Sequence, residues 1–265
     1  MANSFSFRRW AFRLAPLLIL VVAAGAWFAF DPGFHSRSVT PVASADVTAD
    51  EFDKRVQAYL LNHPEVIVEA VNRYQSRQAA QQESEAQTIL KSRGEEVFRD
   101  QNSPVAGNPT GNATLVEFFD YNCPYCRRMA PIMEKLIKTD PQLRVVYKEF
   151  PILGPNSVFA AKAALAAHEQ GKYVAFHDEL FRLHGTAEPG TVMQVAAKIG
   201  LDTDRLKADM KKPEIQTAIE KNLALAEALR INGTPGFVIG SHILRGATDL
   251  KALEELVKDS REKHQ

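Results

Sequence analysis

Downstream of residue 114 the chain alternates short apolar runs with longer amphipathic stretches, and this alternation predicts the elements in order. Residues 115–119 (LVEFF) read as a strand, 124–138 as a helix and 143–149 as a second strand, together a compact β-α-β unit. A long helical stretch follows over about 156–230, punctuated at Gly171, 185–190, 200–202 and Pro213. Residues 236–239 and 243–245 form a hairpin around Gly240-Ser241, and Asp249 caps a last helix to about residue 263. Upstream, residues 46–100 carry one apolar stripe at three and four spacing: Phe52, Val56, Tyr59, Leu60, Ile67, Ala70, Val71 and Tyr74. Pro64 splits it into a helix near 48–62 and a second one that begins with the proline, where a missing N–H costs nothing. The stripe then fades into a Gln-, Ala- and Glu-rich stretch over 78–87. Such a stripe needs a partner, either the chain's own following domain or a second copy. Residues 101–113, with two Pro, two Gly and three Asn, read as a linker, and 114–265 as a single α/β domain with a helical insert.

Arg8, Arg9 and Arg13 precede a charge-free run over 14–30, the layout of an export signal. Cleavage at a small-residue site (24–26 or 43–45) and retention as an anchor are both open, because seventeen residues reach the lower end of the roughly 17–25 that span a bilayer. Residues 1–45 are thus a signal peptide or membrane anchor, and either way the remainder is extracytoplasmic, periplasmic in a two-membrane cell. Composition is globular, with 45% hydrophobic and 24% charged residues. The 32 basic residues balance 32 acidic ones, so no broad basic face argues for nucleic acid as a partner.

Two cysteines occur, Cys123 and Cys126, which excludes a disulfide-stapled scaffold and a four-cysteine metal site within one chain. They sit where a strand gives way to a helix, with Pro124 at the first helical position and Cys123 at the cap. A thiolate there faces unpaired amides and the positive end of the helix dipole, so Cys123 is the expected attacking sulfur. Cys126, one turn in, resolves the mixed disulfide. Glu117 stands among apolar neighbours in the first strand, where a carboxylate is costly without a task or a partner. It either relays a proton to and from Cys126 or pairs with a lysine such as Lys148. His168, His177 and His184 read as surface or packing residues, and residues 150–154 as a turn into the insert that borders a substrate groove.

The stretch Val116-Glu117-Phe118-Phe119-Asp120-Tyr121-Asn122-Cys123-Pro124-Tyr125-Cys126, with Gly233-Thr234-Pro235-Gly236-Phe237 downstream, resembles the DsbA-like branch of the thioredoxin superfamily. The resemblance implies a thioredoxin fold interrupted by a helical insert, with Thr234-Pro235 as a cis-proline loop facing the cysteines. It implies catalytic roles for Cys123, Cys126 and Glu117, and substrate contacts from Pro124, Tyr125, Thr234 and Pro235. No bound cofactor and no metal are implied. The partners implied are cysteine-containing exported proteins and a membrane redox protein that resets the pair. Residues 50–100, with Tyr59-Leu60-Leu61-Asn62-His63-Pro64-Glu65-Val66-Ile67, resemble the N-terminal region of ScsC-like relatives, some of which trimerise through it and act as isomerases or reductases. A homotrimer through residues 46–100 is therefore expected. The alternative from another class is a copper-handling protein that binds Cu(I) through the reduced cysteine pair.

Overall fold

Both faces of the first long strand are buried, and the rest of the domain is arranged by that fact. The computed structural model describes residues 48–262, so the expected signal or anchor over 1–45 lies outside the described residues. The strands are β1 (Val105–Gly107), β2 (Ala113–Phe119), β3 (Leu143–Glu149), β4 (Gly236–Ile239) and β5 (His242–Arg245). They form one sheet in the order β1-β3-β2-β4-β5, in which β2 and β3 are parallel and the other pairs antiparallel. A central strand covered on both sides needs a near-continuous apolar run, and Leu115, Val116, Phe118 and Phe119 supply it. The exception in that run is Glu117.

Helices α1 (Ala49–Asn62), α2 (Pro64–Ser92) and α3 (Gly94–Phe98) precede the sheet. Helix α4 (Pro124–Thr139) connects β2 to β3, and α5 (Pro155–His168), α6 (Tyr173–Phe181), α7 (Pro189–Lys198), α8 (Thr203–Asp209) and α9 (Pro213–Ala228) form the insert between β3 and β4. Helix α10 (Leu250–Glu262) closes the chain, and the Asp249 carboxylate accepts from the Ala252 amide as expected of its cap. Helix α5 is buried almost all round, which suits its run of alanines, and it is the hub on which α6, α7, α8 and α9 pack.

Two units divide the chain between Ala58 and Tyr59. In the first, Phe52 and Val56 of α1 are exposed. In the second, the forward half of α2 leaves Ile67, Val71 and Tyr74 exposed, whereas its rear half buries Ala86 and Leu90. The stripe from Tyr59 to Tyr74 is therefore not packed on the catalytic domain of its own chain. The rear half is also tied down by polar contacts: Arg245 donates to Glu83 at 2.9 Å, Arg230 to Glu85 at 2.8 Å, and Gln87 to the Ser241 carbonyl at 2.9 Å.

The stretch 101–113 differs from its reading as a linker. It contains β1, which pairs antiparallel with β3 through Val105↔Val146 and extends the sheet at one edge. Three residues among Pro, Gly and Asn carry too little pattern for periodicity to detect, yet β3 offers them an open edge.

Candidate active site

Pro124 opens α4 at its first position and Cys123 is the N-cap, with extended dihedrals (φ −78°, ψ 119°). The amides of Tyr125 and Cys126 point back at the Cys123 sulfur, which also contacts the Thr234 carbonyl oxygen at 3.2 Å. A hydrogen bond from the Cys126 thiol, followed by the Thr234 side chain and the Cys126 and Tyr125 amides, pulls the Cys123 pKa from 9.0 down to about 5 against the opposing effect of burial. Cys126 is fully buried, and burial together with the Cys123 and Glu117 charges drives its own pKa strongly upward. Both are free thiols. The arrangement is one sulfur held as a thiolate and one held as a thiol.

Glu117 is buried in β2, and burial raises its carboxyl from 4.5 to about 8. The pairing with Lys148 is overturned by register. Glu117 lies opposite Tyr147 and Phe118 opposite Lys148, so Glu117 and Lys148 point to opposite faces of the sheet. Lys148 instead donates to Asp100 at 3.0 Å, Ser103 at 2.7 Å and the Glu96 carbonyl at 2.9 Å, which uses all three of its N–H groups. Glu117 is left without a counter-ion among the described residues, close enough to Cys126 for its charge to raise the thiol pKa.

The Thr234-Pro235 bond is cis, and the loop places the Thr234 carbonyl against Cys123 although 111 residues separate them in sequence. Tyr125 is half-exposed on the same rim, with the Arg128 guanidinium 4.4 Å from its ring centre. Ile152 and Leu153 are exposed within the turn that follows β3, where the sequence suggested a groove wall.

Sequence reasoning missed the residues that hold the cysteine loop to the insert. Asn122 donates to Ser157 on α5 at 3.0 Å and accepts from the Ala187 amide at 2.7 Å, while Arg127 donates to the Gly185 carbonyl at 2.7 Å. Asp120 accepts from the Leu153 amide at 3.0 Å and the Asn122 amide at 2.8 Å. Apart from the Asn122 amide, which is local to Asp120, each partner lies 33 or more residues away, so no local pattern marks these contacts. A second hidden feature is a buried polar chain. Tyr121 and Tyr173 both donate to Glu149, at 3.1 and 2.6 Å, and Tyr121 contacts His177 Nδ1 at 3.2 Å. Burial pushes Glu149 well above the carboxylate range, and it pushes His177 down to about 3, so that His177 is a neutral core group near pH 7. Of the three histidines, His177 is a packing residue and His184 is exposed.

Comparison with known proteins shows the family to which a chain with this fold belongs. The family model for a DSBA-like thioredoxin domain matches residues 114–258, and that for the copper resistance protein ScsC N-terminal domain matches residues 50–81. A thiol:disulfide interchange protein DsbA of Bordetella parapertussis is 30% identical over 187 residues, covering 64% of this chain and 88% of its own. A thioredoxin-like oxidoreductase of Silicibacter pomeroyi DSS-3 superposes with a TM-score of 0.63 at 47% identity, over 63% of this chain and 97% of that one. Proteus mirabilis ScsC in a compact conformation superposes with a TM-score of 0.62 at 30% identity, over 81% and 98%. The chain also matches a Na(+)/H(+) antiporter of Salinispora arenicola at 28% identity, but spans only 24% of that protein's length. The thioredoxin-domain model spans more than half of the chain and the similar proteins include named oxidoreductases, so the chain belongs to the DsbA-like thioredoxin-domain family of thiol-disulfide oxidoreductases.

Proposed function

We propose that this chain is an extracytoplasmic thiol-disulfide oxidoreductase that exchanges disulfides in exported proteins, and that copies joined through the front helices work as a disulfide isomerase. The observation that carries the reading is the Cys123 thiolate, stabilised to a pKa of about 5 at the start of α4 and facing the Thr234 carbonyl. At pH 7 it is ionised and able to attack. Attack on a substrate disulfide forms a bond between Cys123 and one substrate sulfur, and the other substrate sulfur leaves as a thiolate. Cys126 then gives its proton to the Glu117 carboxylate and attacks the Cys123 sulfur. The internal disulfide forms and the substrate leaves reduced. A carboxyl group with a pKa near 8 suits this task, because a base works best when its pKa lies close to the operating pH. Tyr125, Ile152 and Leu153 offer apolar surface to an unfolded segment beside the sulfur.

For export and a periplasmic location, the support is the arginine-led apolar run over 1–30. The membrane partner that resets the pair is carried over from the family resemblance. For self-association, the support is the exposed stripe Tyr59, Ile67, Val71 and Tyr74, within a segment that matches the ScsC N-terminal model. Copper is the weaker alternative: residues 50–81 hold no cysteine and a single histidine, His63, so the donors are again the Cys123 and Cys126 thiols.

Two variants test the reading. Cys126→Ser traps mixed disulfides with protein substrates if Cys123 is the attacking sulfur; loss of Cu(I) binding with no trapped partner supports the copper alternative instead. Ile67→Asp with Val71→Asp, in the chain from residue 46 onward, turns an oligomer that reshuffles a scrambled substrate into a monomer that only oxidises or reduces it. Removing residues 46–100 outright would be a poorer test, because it strips Leu90 and Val97 from the core and Asp100 from Lys148.

A further inference from the structure

Cys126 and Glu117 are both buried, so a proton that Glu117 takes from Cys126 needs a way to solvent. One is present. A cavity of about 330 Å3 lies against β1, α4 and α6, lined by Glu117 among others, with room for several water molecules at about 30 Å3 each. Its lining shares no residue with the Cys123 rim formed by Tyr125, Leu153, Thr234 and Pro235.

The titratable groups on this cavity are Glu117 from β2, Glu134 and Lys138 from α4, Tyr147 from β3, and His177 and Asp178 from α6. Most are committed elsewhere. His177 is held neutral by burial and its Nδ1 faces Tyr121, and burial keeps the Tyr147 phenol from ionising. Glu134 is paired with Lys138 at 2.7 Å and lies 3.7 Å from Arg182, which hold its carboxyl below the usual range. Asp178 is different. It is half-buried at the cavity and forms no ion pair among the described residues. Burial raises its carboxyl, opposed by Arg182 and assisted by Glu134 and Glu179.

We propose that Asp178 is the outer station of the proton path of Cys126: protons pass between Glu117 and the Asp178 carboxylate through water in this cavity, and between Asp178 and bulk solvent. The proposal rests on Glu117 as the proton acceptor in the exchange. In the oxidising half of the cycle the Cys126 S–H bond breaks and its proton moves to Glu117. The sulfur's electron pair forms the bond to Cys123, the bond between Cys123 and substrate breaks, and the substrate sulfur carries the pair away. Glu117 must then shed the proton before it can accept another, and Asp178 is where it goes. The reducing half reverses each step. The insert helix α6 thereby supplies a positioning group for chemistry carried out on β2 and α4.

The experiment is single-turnover release of glutathione from a preformed Cys123–glutathione disulfide, followed against pH in the chain from residue 46 onward. Asp178→Asn slows release about tenfold at pH 7, a fraction of what direct acid–base catalysis contributes. The Cys123 thiolate titration stays at its wild-type position, and Asp178→Glu keeps the wild-type rate. Added formate restores the rate of Asp178→Asn and leaves Glu117→Gln slow. The double variant is no slower than Glu117→Gln alone. If Glu117→Gln is slow and Asp178→Asn is not, or if Asp178→Asn is slow and formate does not restore it, the path through Asp178 is wrong while Glu117 keeps its role. If Glu117→Gln itself releases glutathione at the wild-type rate, the role of Glu117 fails and the path fails with it.

Discussion

Glu117 and Lys148 are buried ionisable groups on adjacent strands of one sheet, on opposite faces, and the protein treats them in opposite ways. Lys148 is surrounded: Asp100, Ser103 and the Glu96 carbonyl take its three hydrogens, and the contacts tie residues 96–103 to β3. Glu117 has no ion pair among the described residues, and burial raises its pKa. Desolvation disfavours the charged form of both groups, but only the lysine has a partner that offsets it. The difference teaches how to sort buried charges in this fold. A charge with all its hydrogen bonds made is part of the scaffold. One left without them, beside a buried thiol, has its pKa moved toward neutrality by burial, which is the property the proposed proton exchange needs.

Removing one side of the paired site gives the largest effect. Lys148→Ala takes the counter-ion from the Asp100 carboxylate and the side-chain donor from the Glu96 carbonyl and opens a cavity, at a cost of about 4 kcal/mol in urea denaturation. Glu117→Gln acts in the other direction. The folded pKa of Glu117 lies above its ordinary value, so its stabilising contribution is complete below about pH 4.5 and is lost as pH rises to about 8. By pH 7 the loss is about 3 kcal/mol, and Glu117→Gln should be more stable than wild type by about that amount, the gain vanishing near pH 4. If Glu117 is the proton acceptor proposed above, the same substitution slows exchange while it stabilises the fold.

Cys123 offers a control of opposite sign. Its folded pKa lies below its ordinary value, so its contribution grows as pH rises from about 5 toward 9, and only in the reduced chain, where the thiolate exists. Denaturation of reduced and oxidised protein across that range separates the two groups: the reduced form gains on the oxidised form with pH in wild type and in Glu117→Gln alike. The smallest effect is Asp100→Asn, which keeps a hydrogen-bond acceptor for Lys148 but removes the charge. It costs about 1 kcal/mol, because Asp100 is partly exposed to water.

Much of this was legible along the chain because it is local. The β-α-β unit, the hairpin and the Asp249 cap follow from periodicity and end signals within a few residues. The position of Cys123 at a helix start follows from Pro124 and the apolar strand before it. Glu117 could be singled out as anomalous by its neighbours alone, but not assigned a partner. Whether Lys148 faces it depends on the register of β2 against β3, and the parallel pairing puts the two on opposite faces.

The amino-acid sequence by itself determined the order of elements from residue 114 onward, the place of Cys123 and Cys126 at a helix start and the apolar stripe on the front helices, since each is written in residues one helical turn or one strand apart. Tertiary structure alone decided the rest. It turned residues 105–107 into a sheet edge, brought Thr234 to Cys123, bolted Asn122 and Arg127 to the insert and placed Asp178 on the same cavity as Glu117. The physical reason is that a buried polar group is satisfied or exploited by whatever the fold packs against it, and those neighbours lie from about thirty to more than a hundred residues away.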